Sequence, residues 1–218
     1  MKAIVAGATG KTGYRIVQQL VAQGIPVKAL VRDAAKAKAM LPPEAEIVLG
    51  DVLDPKTLTA ALADCTVLLS ATGAAPSFDP SGPYKVDFEG TKNLVEAAKQ
   101  QGIEQFVLVS SLCVSKLFHP LNLFWLILVW KKQAEAYLQN SGLTYTIVRP
   151  GGLKEADSDD KLVMAKADQL FEGSLPRQKV AQVCVAALGD SAAKNKVVEI
   201  VARPEAPEQP LSALFAAV

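Results

Sequence analysis

Three glycines near the start of the chain, Gly7, Gly10 and Gly13, have the spacing of a turn that binds phosphate groups. They follow an apolar run at residues 2–6 and precede a helical pattern over residues 14–23. Gly7 permits a tight reversal, Gly10 lets a pyrophosphate approach the backbone, and Gly13 lets the helix pack close to the sheet. The free amides and the positive end of the helix dipole would then face the phosphates. The alternative is a glycine turn that serves packing alone.

The end of the next predicted strand, residues 27–31, bears on which dinucleotide would fit. A site that prefers NAD usually has an acidic side chain there, whereas this chain has Arg32 followed by Asp33. A guanidinium can donate two hydrogen bonds to a 2′-phosphate, and Lys11 in the glycine turn adds a second positive charge. We therefore expect NADP(H) to be preferred over NAD(H). The alternative is that Arg32 is a solvated charge paired with Asp33.

Strand and helix patterns alternate along most of the chain, which is typical of a parallel sheet covered on both faces. We predict an α/β fold, a single-domain Rossmann-like doubly wound parallel sheet over residues 1–218. Its C-terminal part, about 151–218, would form a small portion that faces a substrate or partner. The predicted strands are residues 2–6, 27–31, 46–51, 66–71, 105–110, 145–149 and 196–201. The predicted helices are residues 14–23, 33–41, 54–62, 86–101, 125–140 and 178–188, and residues 74–83 are a predicted loop.

Composition narrows the class of protein. The 218 residues suffice for one domain with a sizeable core, and a net charge of +1 without a basic stripe argues against nucleic acid as a partner. The cysteines are scattered, and the one histidine, His119, cannot complete a zinc site with them, so no metal is expected. Such thiols indicate a reducing compartment. Because the first strand begins at residue 2, we expect no targeting peptide and predict a cytoplasmic protein, or a mature form trimmed from a longer one.

Residues 121–130 are unusually apolar. The run is too short for a transmembrane helix, which needs about 20 such residues. We predict a buried helix or a surface that contacts a protein partner or a second copy in a homodimer. Docking on a membrane surface is less favoured, because the run lacks the basic polar face that such helices usually carry.

Several further motifs follow one another along the chain. They are Gly7-Ala8-Thr9-Gly10-x-x-Gly13, Val31-Arg32-Asp33, Gly50-Asp51-Val52, Val86-Asp87-x-x-Gly90-Thr91-x-Asn93, Val109-Ser110-Ser111, Lys131-x-x-x-Glu135 and Val148-Arg149-Pro150-Gly151. Together they resemble the NmrA-like branch of the atypical short-chain dehydrogenase/reductases, a family of NAD(P)-binding proteins, over nearly the whole chain. The nearest resemblance is to small cyanobacterial and plastid proteins akin to the NADP-binding subunit of the chloroplast import machinery. For a trimmed mature form, this resemblance implies the plastid stroma.

The resemblance implies roles for residues at the carboxyl ends of the strands, where open α/β sheets bind ligands. Arg32 would hold the 2′-phosphate, and Asp51 with Val52 would border the adenine. Asp51 has the alternative role of a turn or cap residue. The other implied coenzyme contacts are Gly7, Thr9, Gly10, Lys11, Thr12 and Gly13 at the pyrophosphate, Ala71, Thr72 and Gly73 at the ribose, and Pro150 and Gly151 beside the nicotinamide.

Dehydrogenases of this family use a Tyr that passes a proton, a Lys four residues later that lowers the pKa of that phenol, and a Ser that orients the carbonyl. Ser111 and Lys131 match the catalytic Ser and Lys, but Ile127 stands four residues before Lys131. None of the tyrosines, Tyr14, Tyr84, Tyr137 and Tyr145, has a Lys four residues later, so the usual proton relay is absent. Lys131 would still bind ribose hydroxyls, or it is simply solvated with Lys132. Ser111 either orients a ligand or caps the following loop.

Two kinds of function agree with these residues. The first is an NADPH-dependent reductase of a flavin-, quinone- or tetrapyrrole-like acceptor, which takes its proton from water. The second is a non-catalytic NADP(H) redox sensor or assembly factor that acts through a protein partner. Its partner surface would be residues 121–130 or the segment after Gly151.

Overall fold

A mostly parallel sheet with helices on both faces forms the centre of the computed structural model, which describes residues 1–75 and 78–218. The strands are β1 Ala3–Ala6, β2 Val27–Val31, β3 Glu46–Leu49, β4 Val67–Ser70, β5 Gln105–Val109, β6 Tyr145–Pro150, β7 Gly152–Lys154, β8 Lys161–Lys166, β9 Ser174–Pro176 and β10 Lys196–Arg203. The α-helices are α1 Lys11–Ala22, α2 Ala34–Met40, α3 Pro55–Leu62, α4 Gly90–Gln100, α5 Ile127–Gln139, α6 Arg177–Ala186 and α7 Leu211–Ala217. A π-helix spans Tyr84–Glu89, and 3-10 helices span Pro120–Leu123 and Ser191–Ala193.

The order of the strands confirms the predicted Rossmann-like, doubly wound α/β fold. The order β3-β2-β1-β4-β5-β6-β10 is parallel throughout. The chain adds β2 and β3 on one side of β1 and then continues with β4 on the other side. In open α/β sheets such a reversal leaves a crevice beyond the carboxyl ends of the two central strands, and ligands bind there.

The core lies in two layers because successive side chains of a buried strand point to opposite faces. Val5 of β1 packs with Ile16 of α1 and Cys184 of α6 on one face. Ile4, its neighbour in β1, packs on the other face with Leu58 of α3, and α4 and α5 pack on that face too. Strands buried on both faces read as continuous apolar runs, which is why the sequence predicts the central strands well.

The C-terminal part contains more structure than the sequence predicts. One helix and one strand are predicted after residue 150, and the structure adds β7, β8, β9 and α7. β8 pairs with β10 in antiparallel orientation, and β10 continues to Arg203. β7 and β9 have three residues each, which is too short for a hydrophobic period to show.

Two helices begin at earlier residues in the structure than the sequence predicts. α1 begins at Lys11 rather than at residue 14, because Gly10 is the N-cap and the last glycine of the turn lies inside the first helical turn. The predicted helix 86–101 is a π-helix from Tyr84 that continues into α4, and the Gly90 amide donates to the Lys85 carbonyl five residues back. Of the predicted loop 74–83, Pro76 and Ser77 lie outside the described residues.

The prediction of a buried helix at 121–130 is wrong. The side chains of Leu123 and Phe124 are 84% and 64% exposed, and Leu128 is the member of this run that is buried in the core. Trp125 and Leu126 both have a left-handed backbone, with φ of 57° and 58°, so α5 begins only at Ile127. Hydropathy predicts burial here, but the fold leaves the side chains of Leu123 and Phe124 mostly exposed. Among the described residues, no helix combines the length and the apolar character needed to cross a bilayer.

Candidate functional site

The glycine turn leaves room for a ligand because its residues lack side chains. Gly7 has φ +78°, and a Cβ there would lie 2.8 Å from the Ala71 carbonyl oxygen. A Cβ on Gly13 would lie 2.1 Å from the Gly7 carbonyl oxygen, so α1 packs directly on the reversal. Gly10, the N-cap of α1, has no side chain that could accept from the first amides of the helix, and the first turn of α1 has no acidic residue. The amides at this helix end are therefore available to an anion, as a phosphate group requires.

Two adjoining hollows lie beyond the carboxyl ends of the strands and share Gly10 and residues 71–75. We call the first the β2 hollow; it measures about 530 Å³. It is bordered by the predicted residues Gly7, Thr9, Gly10, Arg32, Asp51, Val52, Ala71, Thr72 and Gly73. We call the second the β6 hollow; it measures about 980 Å³. It is bordered by the predicted residues Gly10, Lys11, Thr12, Ala71, Thr72, Gly73, Ser111, Lys131, Pro150 and Gly151. Gly13 borders neither and has a packing role.

Arg32 is exposed at the edge of the β2 hollow, and the second cation there is Lys36, not the predicted Lys11, which borders the β6 hollow and pairs with Glu155. Asp33 is the N-cap of α2, and its Oδ1 accepts a hydrogen bond from the Lys36 amide at 3.0 Å. In residues 1–75 and 78–218, Arg32 forms no ion pair, so the alternative in which it pairs with Asp33 is not found. The β2 hollow is therefore bordered by two cations, Arg32 directly after β2 and Lys36 in the first turn of α2.

Asp51 borders the β2 hollow, as a contact to adenine requires. It also stabilises its own turn, so its alternative role as a turn residue is supported too. Its Oδ1 accepts from the Leu53 amide at 2.9 Å, while its amide donates to Thr57 Oγ1 at 3.1 Å. Asn93 of α4 holds the neighbouring residue, because its Nδ2 donates to the Val52 carbonyl at 2.9 Å. The turn that would border the adenine is thus fixed from two sides.

Lys131 reaches the floor of the β6 hollow and meets a carboxylate there. Its Nζ lies 2.8 Å from Oδ1 of Asp87, whose side chain is fully buried. The approach is an ion pair without the angle of a hydrogen bond, since Asp87 Oδ1 has no hydrogen-bond partner among the described residues. Asp87 Oδ2 accepts from the Ala74 amide at 3.1 Å. Lys131 is therefore anchored beside the end of β4 and is not simply a solvated lysine.

None of the four tyrosines of the chain takes the place of the missing catalytic tyrosine. Ile127, one helical turn before Lys131, borders the β6 hollow. Tyr14, Tyr84, Tyr137 and Tyr145 border neither of the two hollows. Neither the aliphatic side chain of Ile127 nor a distant phenol can pass a proton to a ligand at Lys131.

The two serines that directly follow β5 differ in their surroundings. Ser111 borders the β6 hollow, and in the described part of the chain its hydroxyl has no hydrogen-bond partner. The hydroxyl of Ser110 donates to Glu135 Oε1 at 2.5 Å and is buried. Ser111 is therefore the serine that is free to contact a ligand, whereas Ser110 belongs to a buried network.

That network joins α5, β6 and β10 behind the site. Arg149 donates to Glu135 through Nε at 3.0 Å and through Nη2 at 2.7 Å. Its Nη1 donates to Asp168 Oδ1 at 3.0 Å and to Glu199 Oε1 at 3.2 Å. Burial alone would lower the pKa of the Arg149 guanidinium, but its hydrogen bonds to Glu135 and Glu199 raise that pKa above its ordinary value. Arg149 therefore remains charged and fixes the strand that leads to Pro150.

A second charged cluster lies at the edge of the β6 hollow. Glu155 Oε1 lies 2.9 Å from Lys11 Nζ and 2.9 Å from Arg177 Nε, and its Oε2 lies 3.4 Å from Arg15 Nη2. The hydrogen bond from Arg177 and that from Lys11 lower the pKa of the Glu155 carboxyl to about 2. Lys11 and Arg177 also border the hollow itself.

Sequence reasoning missed several of these residues. Asp87 stands in a quoted motif, but its role requires the π-helix to turn its carboxylate toward α5. Lys36 was available as a second cation one helical turn after Arg32. Glu155 and Arg177 belong to segments that are distant in sequence, and their meeting with Lys11 depends on how α6 packs beside α1, so no local signal indicates it.

Comparison with known proteins gives relatives over the whole chain. A chloroplastic protein of Arabidopsis thaliana is 49% identical, and the match covers 100% of this chain and 82% of that protein. Protein TIC 62, chloroplastic, of Pisum sativum is 36% identical over 97% of this chain, which corresponds to 45% of TIC 62. Sanguinarine reductase of Eschscholzia californica is 34% identical, with 93% of this chain and 89% of that enzyme covered.

A solved structure agrees with the fold and with the relatives. ChuY, an anaerobillin reductase from Escherichia coli O157:H7, has a TM-score of 0.78 and 25% identity, covering 96% of this chain and 100% of ChuY. The family described as NAD(P)H-binding matches residues 7–191, which include the glycine turn, both hollows and α6. The predicted resemblance to NmrA-like proteins and their plastid relatives is confirmed, and the chain belongs to the NAD(P)H-binding family.

Proposed function

We propose that this protein is an NADPH-dependent reductase of a flat conjugated acceptor of the flavin, quinone or tetrapyrrole class. The observation that carries the proposal is the β6 hollow, which adjoins the glycine turn and combines a large apolar wall with the anchored ammonium group of Lys131. The apolar wall consists of Leu112, Leu121, Ile127, Leu153 and Phe171. An apolar, roomy site with a few polar groups suits a planar ligand better than a small hydroxy acid.

The preference for NADP(H) is part of the proposal and is supported by Arg32 and Lys36. Both border the β2 hollow, and Arg32 has no ion pair in the described ranges. A guanidinium with no carboxylate partner is suited to bind a 2′-phosphate with two hydrogen bonds. An acidic residue at this position would favour the ribose hydroxyl of NAD.

The roles of the other residues follow from their positions around the β6 hollow. Lys131 would donate hydrogen bonds to the ribose hydroxyls of the coenzyme, Ser111 would orient the acceptor, and Pro150 with Gly151 would border the nicotinamide. The coenzyme, when bound, would supply the hydride. Because none of the four tyrosines borders the β6 hollow, water that enters the hollow would supply the proton. The part of the chain at about 151–218 contributes Leu153 and Phe171 to the acceptor side.

The relatives support the reductase class without identifying the acceptor. Sanguinarine reductase and ChuY are both named as reductases, and the former is similar to this chain over 89% of its length. Two further relatives are named as chloroplastic, which supports the plastid stroma over the cytoplasm as the location of this protein.

NADPH oxidation in the presence of flavin mononucleotide, a short-chain quinone or biliverdin tests the proposal. The control is Gly10→Asp, which puts a carboxylate at the N-cap of α1, where an anion must bind. Turnover by the wild type that exceeds the Gly10→Asp rate at least about tenfold, or about 1.4 kcal/mol of transition-state stabilisation, supports the reductase. Equal rates for the two proteins with every acceptor would contradict it.

A non-catalytic NADP(H) sensor or assembly factor is the second candidate function. The exposure of Leu123 and Phe124 favours it, since a protein partner or a second copy could cover these side chains. Saturable NADPH binding without turnover would support this candidate. The relation to TIC 62 is consistent with it, although the match covers less than half of that protein.

A further inference from the structure

Glu155 is the carboxylate that Lys11, Arg15 and Arg177 share at the edge of the β6 hollow. Lys11 and Arg15 come from the first turns of α1, and Arg177 is the first residue of α6. Three positive charges face one negative charge, so the cluster has an excess of two positive charges before any ligand binds. A carboxylate that is half exposed is a weak partner for so many cations, because water and salt screen it.

We propose that Lys11 and Arg177 exchange Glu155 for the pyrophosphate of the coenzyme, so that Glu155 is an internal competitor of the dinucleotide. The inference rests on the coenzyme site proposed above. It assigns Arg177, which no sequence motif indicates, as a phosphate ligand from the opposite side of the glycine turn. Lys11 and Arg177 border the same hollow as Gly10 and Thr12, where the amides of α1 face the ligand.

Charge and geometry favour exchange over a permanent structural role for the cluster. The pyrophosphate of a dinucleotide carries two negative charges and offers more acceptor oxygens than one carboxylate, which matches the excess of positive charge. The Arg177 side chain is only 17% exposed, whereas the Glu155 side chain is 50% exposed on the segment after β7, so less packing holds Glu155 in place. The carboxylate is ionised at neutral pH, so the competition operates under ordinary conditions.

Exchange also couples coenzyme binding to the acceptor side of the site. Glu155 directly follows β7, and Gly152 and Leu153 of that strand border the β6 hollow. When Lys11 and Arg177 turn to the phosphates, Glu155 loses its ionic contact to α6 and keeps only the contact of Arg15 to α1. Binding of the coenzyme thereby changes the wall that an acceptor or a partner meets.

Isothermal titration of NADPH and NADH into the full-length protein tests the inference without an acceptor. Glu155→Gln removes the competitor and should tighten both coenzymes about two- to fivefold, the range of an exposed ion pair. Arg177→Gln should weaken both about tenfold, and Arg177→Lys should restore most of the affinity. In the Arg177→Gln background, Glu155→Gln should tighten binding less than in the wild type. The controls are Glu205→Gln and Arg203→Gln, which remove one negative and one positive charge at positions that border neither hollow. Both should leave the affinities within about twofold.

The outcomes separate this inference from the proposed function. Wild-type protein that binds neither coenzyme would contradict both. Binding that is unchanged or weakened in Glu155→Gln, or unchanged in Arg177→Gln, would contradict the exchange alone. Thermal unfolding of each variant without ligand identifies a loss of affinity that is due to a loss of folding. Arg177→Lys then serves as the folded substitute that keeps the charge.

Discussion

Lys131 and Asp87 form an ion pair of 2.8 Å at the floor of the β6 hollow, and both come from irregular starts of helices. Asp87 lies in the π-helix that precedes α4, and Lys131 lies in the second turn of α5, which begins after two left-handed residues. Trp130 packs on Tyr84 of the same π-helix, with ring centroids 4.9 Å apart. The π-helix and α5 are thus joined by an aromatic contact on one side and an ionic contact on the other. π-Helical turns often mark functional sites, and here the turn delivers the carboxylate that anchors the lysine.

Lys131 should contribute to binding only the nicotinamide half of the coenzyme. It borders the β6 hollow and not the β2 hollow. We expect Lys131→Met to weaken reduced nicotinamide mononucleotide about tenfold, because a charge-assisted hydrogen bond is lost, and to leave 2′,5′-ADP unaffected. Titration calorimetry with the two fragments measures this. The matched control is Lys132→Met, which removes an adjacent lysine that bonds to Ser115. Equal losses for both fragments would argue against the assignment.

Asp87 should act through Lys131 and not by direct contact with the coenzyme. Asp87→Asn retains an oxygen for the Ala74 amide and removes the charge that holds Lys131. We expect about a threefold to tenfold loss in affinity for reduced nicotinamide mononucleotide, and little further loss when Lys131→Met is added, because contacting residues are not additive. A calorimetric double-mutant cycle measures the coupling. Fully additive losses would show that the two residues act independently.

Arg32 should determine the preference between the two coenzymes. Replacing it with Glu places an acidic group where the 2′-phosphate would bind, so NADP and 2′,5′-ADP should be weakened about a hundredfold or more. NAD should lose far less, since its ribose hydroxyl can donate to the new carboxylate. Lys36→Gln serves as the graded comparison, with a smaller loss confined to NADP. If NAD and NADP lost affinity equally, the assignment of the 2′-phosphate would be wrong.

The parts of the fold that the sequence predicts correctly are those determined locally. The central strands β1, β4 and β5 are almost wholly apolar, and Gly7, Gly10 and Gly13 have the spacing of a turn that binds phosphate groups. Arg32 could be assigned to the edge of the site because a residue at the end of a parallel strand must lie there. For a residue directly after a parallel strand, its position in the sequence is enough to predict its position at that edge of the sheet.

The parts that the sequence does not predict depend on contacts between distant segments. Glu155 meets Lys11 and Arg177 only because α6 packs beside α1, and the partners of Arg149 come from α5, from β10 and from the connection between β8 and β9. Residues 121–126 show the converse, since their apolar character suggests burial while the fold leaves Leu123 exposed. Hydropathy reports what a side chain favours, and topology decides whether another element covers it.

Gly13 should be required for folding because of one close approach. An added Cβ would lie 2.1 Å from the Gly7 carbonyl oxygen, a backbone atom that cannot move without opening the turn. We expect Gly13→Ala to lower the free energy of unfolding by about 2–3 kcal/mol, even though Ala is the better helix former by about 1 kcal/mol. Urea denaturation measures the change. Gly189→Ala is the control, because nothing lies within 4 Å of a Cβ at that position. Equal effects of the two substitutions would show that the turn tolerates a side chain.

Asp168 should make the stability of the protein depend on pH in the acid range. Burial would raise the pKa of its carboxyl, but the Ser115 hydroxyl and the positive charges of Arg149 and Lys132 lower it below the ordinary 3.8. A lowered pKa in the folded state means that the carboxylate stabilises the fold fully above about pH 4, and that this contribution disappears as the pH falls through the folded value. We therefore expect Asp168→Asn to be less stable than the wild type at pH 7, with a difference that narrows below pH 4.

The substitution isolates the charge, since Asn adopts the left-handed backbone found at this residue, φ 63°, as readily as Asp does. Because the Asp168 side chain is 44% exposed, the difference at pH 7 should not exceed about 1 kcal/mol. Urea denaturation at pH 7, 5, 4 and 3 measures it, with Asp159→Asn, an exposed carboxylate outside the Arg149 network, as the control. A difference that stayed constant down to pH 3, or that grew as the pH fell, would mean that Asp168 supports the network through its shape and not its charge.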